Sequence, residues 1–181
     1  MREIITILIA MFSFTTTVAQ VSEVKKQIED SYDYYEDAFK EIKYALSSID
    51  DCYTTNSIDD IQSYASDAER YLTSAKRYLG YAEDEADDAD EASDLKCTEA
   101  EDQADDAEDY FYDSKRKISY AISELSRASY EDDPEQLGYH LSDAKDYINQ
   151  AIKKMNYAVG ALNDALEDLE GCEKIVLQQG L

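Results

Sequence analysis

Turn chemistry is almost missing from this chain. Five glycines and a single proline, Pro134, are spread over 181 residues. A β-sheet needs a turn every few residues, and this sequence has little to make one with. The scarcity excludes a strand-rich fold and points to long helices. There is no tryptophan and only one histidine, His140. A di-iron bundle needs Glu-x-x-His on two helices, and covalent haem needs Cys-x-x-Cys-His; neither pattern is present. Nor is there a Ser-His-Asp set or a Gly-rich phosphate loop. Positive charge is scarce as well: 17 lysines and arginines stand against 42 acids, for a net charge of −25. Such a chain cannot neutralise phosphates, so nucleic acid and anionic membranes are poor partners. Its acidity favours solubility, cationic partners or repulsion between copies.

Long apolar runs are confined to the start. Ile4 to Phe14 is too short to span a bilayer as a helix. It follows a basic residue, Arg2, and precedes Thr15-Thr16-Thr17-Val18-Ala19, whose small Thr17 and Ala19 suit cleavage before Gln20. This is the layout of a secretory signal peptide over residues 1–19. The expected mature chain, 20–181, is one domain without membrane insertion, secreted or periplasmic. Cleavage removes Arg2 and Glu3 together and leaves the net charge unchanged.

What the chain does have is itself, twice. A shift of 76 positions (120 − 44) lays Tyr44-Ala45 on Tyr120-Ala121 and Ser66-Asp67-Ala68 on Ser142-Asp143-Ala144. The same shift places Tyr34 on Tyr110, Tyr71 on Tyr147, Ala75 on Ala151 and Tyr81-Ala82 on Tyr157-Ala158. Each copy, about 22–97 and 98–172, reads as a helical hairpin, with a short tail over 173–181.

One heptad phase fits each helix. Position a carries Ile28, Tyr35, Ile42 and Ile49; then Ala65, Leu72 and Leu79; then Phe111, Ile118 and Leu125; then Leu141, Ile148, Met155, Leu162 and Leu169. Position d is small: Ser31, Ala38 and Ala45; Ala68, Ala75 and Ala82 after Ile61; Ala107, Ser114 and Ala121; Ala144, Ala151, Ala158 and Ala165. A sustained seven-residue repeat implies left-handed supercoiled packing, and alanine at d lets helix axes approach closely. The expected fold is all-α, an elongated antiparallel four-helix bundle of two tandem hairpins. Boundaries are expected at Ser22, in a turn from Asp50 to Asn56, at a Ser57 cap, at a Thr98/Glu101 capping box and at Pro134. The boundary between helices 2 and 3, near Ser93 to Cys97, is the weakest. The alternative is one long central helix with two outer helices folded back on it.

Four features could carry function. Tyr34, Tyr71, Tyr110 and Tyr147 at g, with Tyr44, Tyr81, Tyr120 and Tyr157 at c, flank the alanine stripe. They either cover the seam with their rings or form an aromatic strip for a partner. Residues Glu83 to Asp109 are almost wholly acids and small residues, with one base, Lys96. Asp87, Asp88, Glu91, Asp102, Asp105 and Asp106 are the candidate oxygen ligands for weak calcium binding, against the plainer reading of a solvated acidic face. No EF-hand loop is present. The expected topology brings Cys97 and Cys172 to one end, as a disulfide worth roughly 4 kcal/mol by loop entropy, and leaves Cys52 free or joining two molecules as a homodimer. Three unpaired thiols are the alternative. His140 falls at a flanking position, and its counterpart in the first copy is Tyr64.

Ala161 to Cys172 is similar to the last helix of secreted plant inhibitors of invertase and pectin methylesterase. Those bundles carry an N-terminal cysteine pair that this chain lacks, and they lack its duplication, so no residue is carried across. The expectation is a non-catalytic extracytoplasmic interaction or scaffold protein with an unidentified protein partner and no cofactor. The alternative is an acidic, low-affinity binder or buffer of divalent cations.

Overall fold

The computed structural model describes residues 2–93 and 98–179, with side-chain surroundings over 20–92, 98–172 and at Lys174. It contains α1 (Arg2–Cys52), α2 (Ile58–Ser93), α3 (Thr98–Ala128) and α4 (Pro134–Gln179). The helices alternate in direction around one core. Ser31 faces Ala82 and Cys52 faces Ile61, so α1 and α2 are antiparallel. Glu83 pairs with Lys115 and Gln62 reaches Glu131, which sets α2 against α3. Tyr32 bonds Val159 while Lys145 pairs with Asp50, which closes α4 onto α1. The two intra-hairpin pairs pack most extensively, and α1 against α4 packs least.

This is the four-helix bundle expected from the heptads. The continuous central helix is ruled out, because α2 and α3 lie side by side in opposite directions. Two boundaries differ from expectation. Helix 1 does not open at Ser22; α1 runs unbroken from Arg2, since no proline or glycine precedes Gly80. It also continues to Cys52 and shortens the expected turn, with Tyr53 N–H bonding Asp50 O (3.1 Å) and Thr54 N–H bonding Asp51 O (3.0 Å). The other starts hold. Ser57 Oγ accepts from Asp60 N–H at 3.3 Å. Asp133 caps α4 by accepting from Glu135 and Gln136 N–H at 2.8 and 3.2 Å, with Pro134 as first helical residue. No described residue takes a positive φ, so the chain turns without needing glycine.

The twelve largest fully buried side chains all stand at a: Phe111, Ile28, Ile42, Ile49, Leu72, Leu79, Ile118, Leu125, Leu141, Ile148, Met155 and Leu162. They fill the bundle centre and contribute about 1.5–3 kcal/mol each relative to exposure. Two expected core positions are only half-buried, Tyr35 and Ile61. The alanines of d form a second kind of contact, a close seam inside each hairpin. Ser31 Oγ donates to Ala82 O across that seam at 2.8 Å. In the second hairpin Ser114 Oγ lies 3.1 Å from Ala151 O and 2.9 Å from its own-turn Tyr110 O. A serine reaches the facing backbone only if the two helices nearly touch.

The seam predicts an unusual ranking of substitutions. Ala75→Leu, which adds apolar bulk, should destabilise by about 1–3 kcal/mol through overpacking. Ile118→Val, which removes a methylene, should cost only about 0.5–1.5 kcal/mol. Urea unfolding of both variants checks this; a neutral or stabilised Ala75→Leu would mean that the hairpin is not closely apposed.

Candidate functional site

The heptad geometry sets where the tyrosines lie. At 100° per residue, d sits 60° from a, and g and c lie on the side turned away from a. Large residues therefore face the centre, alanines face the hairpin partner, and tyrosines line the outer edge of each seam. Tyr34 packs on Tyr81 with ring centroids 5.2 Å apart, and its repeat equivalent Tyr110 packs on Tyr157 at 5.5 Å, both tilted by 51°. Tyr44 packs on Tyr71 and Tyr120 on Tyr147, each at 5.4 Å. The duplication thus extends to ring geometry. Tyr34, Tyr71, Tyr110 and Tyr147 are half-buried against the core, while Tyr44, Tyr81, Tyr120 and Tyr157 remain 43–47% exposed. Each pair bridges two helices over the alanine seam, with one ring covering it and the other facing solvent. Successive pairs in a hairpin are ten residues apart on α1, or roughly 15 Å along the axis.

Cations accompany these rings. Arg70 lies over Tyr71, Lys117 over Tyr120, Lys153 over Tyr157 and Lys154 over Tyr110, at 4.7–6.0 Å from the centroids. Every exposed large apolar side chain among the described residues is a tyrosine. Composition alone did not reveal the pairing of these rings. The signal was the g-to-c spacing read in both copies together.

The acidic end gathers where α2 ends and α3 begins. Asp87, Asp88, Glu91, Asp102, Asp105 and Asp106 are all exposed. Among the described residues, no three His, Cys, Asp or Glu side chains come close enough to hold a metal ion. The charge still bears on two carboxyls nearby. Burial first, then Asp30 and Asp88, push the Glu85 carboxyl above its ordinary range. Burial, then Asp87 and Asp105, do the same to Glu108. Beneath these acids α2 and α3 bury only alanine, at Ala86, Ala89, Ala100 and Ala104.

Cys52 is the thiol the structure places best. It is 2% exposed, and its Sγ donates toward Ser48 O at 3.4 Å and Ile61 O at 3.6 Å. Burial raises its pKa from 9.0 to about 11. It is free, and so buried a sulfur cannot join two molecules without opening the end of the bundle. The expected Cys97–Cys172 bridge falls on Cys97, outside the described residues. His140 Nδ1 sits 2.7 Å from Glu124 Oε2, whose other oxygen takes Arg127 at 2.7 Å. That accounts for the lone histidine as part of a partly buried polar cluster. No helix among the described residues is long and apolar enough to cross a membrane. No protein family, curated protein or solved structure matches the chain.

Two outcomes follow. Glu85 and Glu108 bind protons more tightly folded than unfolded, so their contribution to stability falls as pH rises through the raised pKa values. The melting temperature should therefore climb as pH is lowered from about 7 toward the carboxylate range, and sodium chloride at pH 7 should raise it too. Asp113 opposes this only below the window, because Lys154 holds its carboxyl below the usual range. Melting curves of the wild type and of Glu85→Gln/Glu108→Gln check the sign; a fall on acidification contradicts it. Secondly, Cys52 should resist a thiol reagent at pH 8 in native protein and react fully in urea. Labelling at the unfolded rate without urea would show the site to be open.

Proposed function

We propose that this chain is a non-catalytic, extracytoplasmic helical bundle that works by presenting its outer tyrosine faces to another macromolecule. One observation carries the reading. The paired tyrosines recur in both copies with matching ring geometry, and half of them keep a ring face in water. Tyrosine is the residue that interfaces favour, because it is large, rigid and amphipathic. Two like faces on one rigid body suit a scaffold that holds two partners, or two sites of one partner. Secretion follows from the signal-like residues 1–19, and a Cys97–Cys172 bridge would suit that compartment. Catalysis has no support from any split pair of carboxylates.

A second reading, weak binding or buffering of divalent cations, rests on the neighbouring carboxylates that add to burial in raising Glu85 and Glu108. It requires calcium to raise the melting temperature beyond what sodium does at equal ionic strength. The interaction reading is tested by placing a photo-crosslinking phenylalanine at Tyr44, at Tyr120 and at the exposed Asn156 off the tyrosine faces. Adducts of one mass should form from both tyrosine positions in native extracellular fluid and not from Asn156. Adducts from Asn156 alone, or from none of the three, overturn it.

A further inference from the structure

The two copies differ at several places on their outer faces, and one of these differences lies beside a tyrosine pair. In the second hairpin Lys154 Nζ sits 2.8 Å from Asp113 Oδ2 and 5.3 Å from the Tyr110 ring centroid, beside the Tyr110–Tyr157 pair. The repeat maps Tyr110 to Tyr34, Tyr157 to Tyr81 and Asp113 to Asp37, all retained. It maps Lys154 to Tyr78. The first hairpin therefore keeps the aromatic pair and the carboxylate but has no lysine at that position. Tyr78 instead packs edge-on against Tyr81, with centroids 6.4 Å apart and planes at 74°. Three rings now stand together near an exposed Asp37 that forms no ion pair with the described residues.

Nearby cations do not fill the gap. Arg77 lies over Tyr78 at 5.2 Å and its repeat equivalent Lys153 lies over Tyr157, so both copies keep a base there; Arg77 takes one face of Tyr78 and leaves Tyr34 and Tyr81 without a cation among the described residues. Two further cations of the second face, Lys117 and Arg127, correspond to Glu41 and Asp51. At g and c the first hairpin carries tyrosines, acids and neutral residues and no base, from Gln27 to Asp51 and from Asp60 to Asp88. Clustered ring faces beside carboxylates attract ammonium groups, and attract them more when water is partly excluded.

We infer that Tyr34, Tyr78 and Tyr81, with Asp37, form a docking site for a lysine side chain of a basic partner peptide. The second copy binds its own Lys154 at the equivalent place; the first takes the cation from outside. Glu41 and Asp51 extend the complementarity toward further basic residues of that peptide. The site rests on the interaction reading above, and gives that reading a partner chemistry.

The test uses the full chain and a trilysine peptide, followed through tyrosine ring signals by NMR. Wild type should shift Tyr34, Tyr78 and Tyr81 saturably at one site. Tyr78→Lys recreates the second copy's arrangement and should weaken binding about tenfold, the scale of one cation–π contact plus one ion pair. Asn156→Lys adds the same charge on another face and should change it less than about twofold. Lys154→Tyr should open a second equivalent site around Tyr110 and Tyr157. Equal losses in Tyr78→Lys and Asn156→Lys would show diffuse attraction by an acidic surface and overturn the site, as would unshifted rings in wild type. If the peptide fails while crosslinks still form at Tyr44 and Tyr120, the lysine site falls and the interaction reading stands.

Discussion

Everything in this molecule depends on how closely two backbones approach inside each hairpin. Alanine at successive d positions leaves nothing to hold the helices apart, and the Ser31 and Ser114 hydroxyls reach the facing carbonyls at 2.8 and 3.1 Å. Once the seam closes, rotation of each helix is settled. The a residues must turn inward together, and g and c must turn outward along a shallow groove between two helices. A tyrosine lying across that groove can touch both backbones' side chains and still solvate its hydroxyl. The tyrosine pairs are thus a consequence of the alanines. A larger d residue would part the helices and separate every ring pair on that face.

Duplication alone would make the α2–α3 and α4–α1 interfaces alike, and position e is where they part. Between α2 and α3 the e residues are mostly polar, Ile122 apart: Gln62 donates to Glu131 O at 3.0 Å, and Glu83 pairs with Lys115. Between α1 and α4 they are Tyr32, Phe39 and Leu46 against Ile152 and Leu166, half-buried on the core. The repeat maps Phe39 onto Lys115. Bulky apolar e residues keep α1 and α4 further apart, which is why that pair packs least. Swapping the two interfaces would bury Lys115 and Glu83 against rings and expose Phe39. The hairpins therefore have one preferred way to dock.

Most of this architecture was legible because heptad position is a statement about direction. Ile118 and Ala121 could be placed toward the centre and the seam from spacing alone, and both are fully buried. The misreadings share a cause. Ser22 looks like a cap, but a cap ends a helix only where the preceding residues cannot continue it, and Ile4 to Val21 can. Cys52 was read as a turn residue; one more helical turn puts it in d register opposite Ile61 and buries it. Tyr78 and Lys154 were both passed over, since each looks ordinary for a surface helix. Their difference acquires meaning only when the ring pairs show that the surrounding geometry is the same.

That sameness makes an internal repeat informative about binding. Two exposed patches on unrelated surfaces differ in burial, backbone and field, so a missing charge in one says little. Here Tyr34–Tyr81 and Tyr110–Tyr157 share their tilt and differ by only 0.3 Å (5.5 − 5.2) in centroid distance. The helix directions are also alike and small residues fill the seam beneath in both, although its serine moves: Ser31 corresponds to Ala107 and Ser114 to Ala38. Among the changes is the lysine, and one carboxylate differs with it: Asp113 pairs with Lys154 and Arg116 within the chain, whereas Asp37 forms no ion pair with the described residues. A solvated carboxylate by itself needs no partner, and this chain has dozens. A solvated carboxylate beside three clustered rings, in a frame whose twin holds an ammonium there, is the combination on which the lysine site rests.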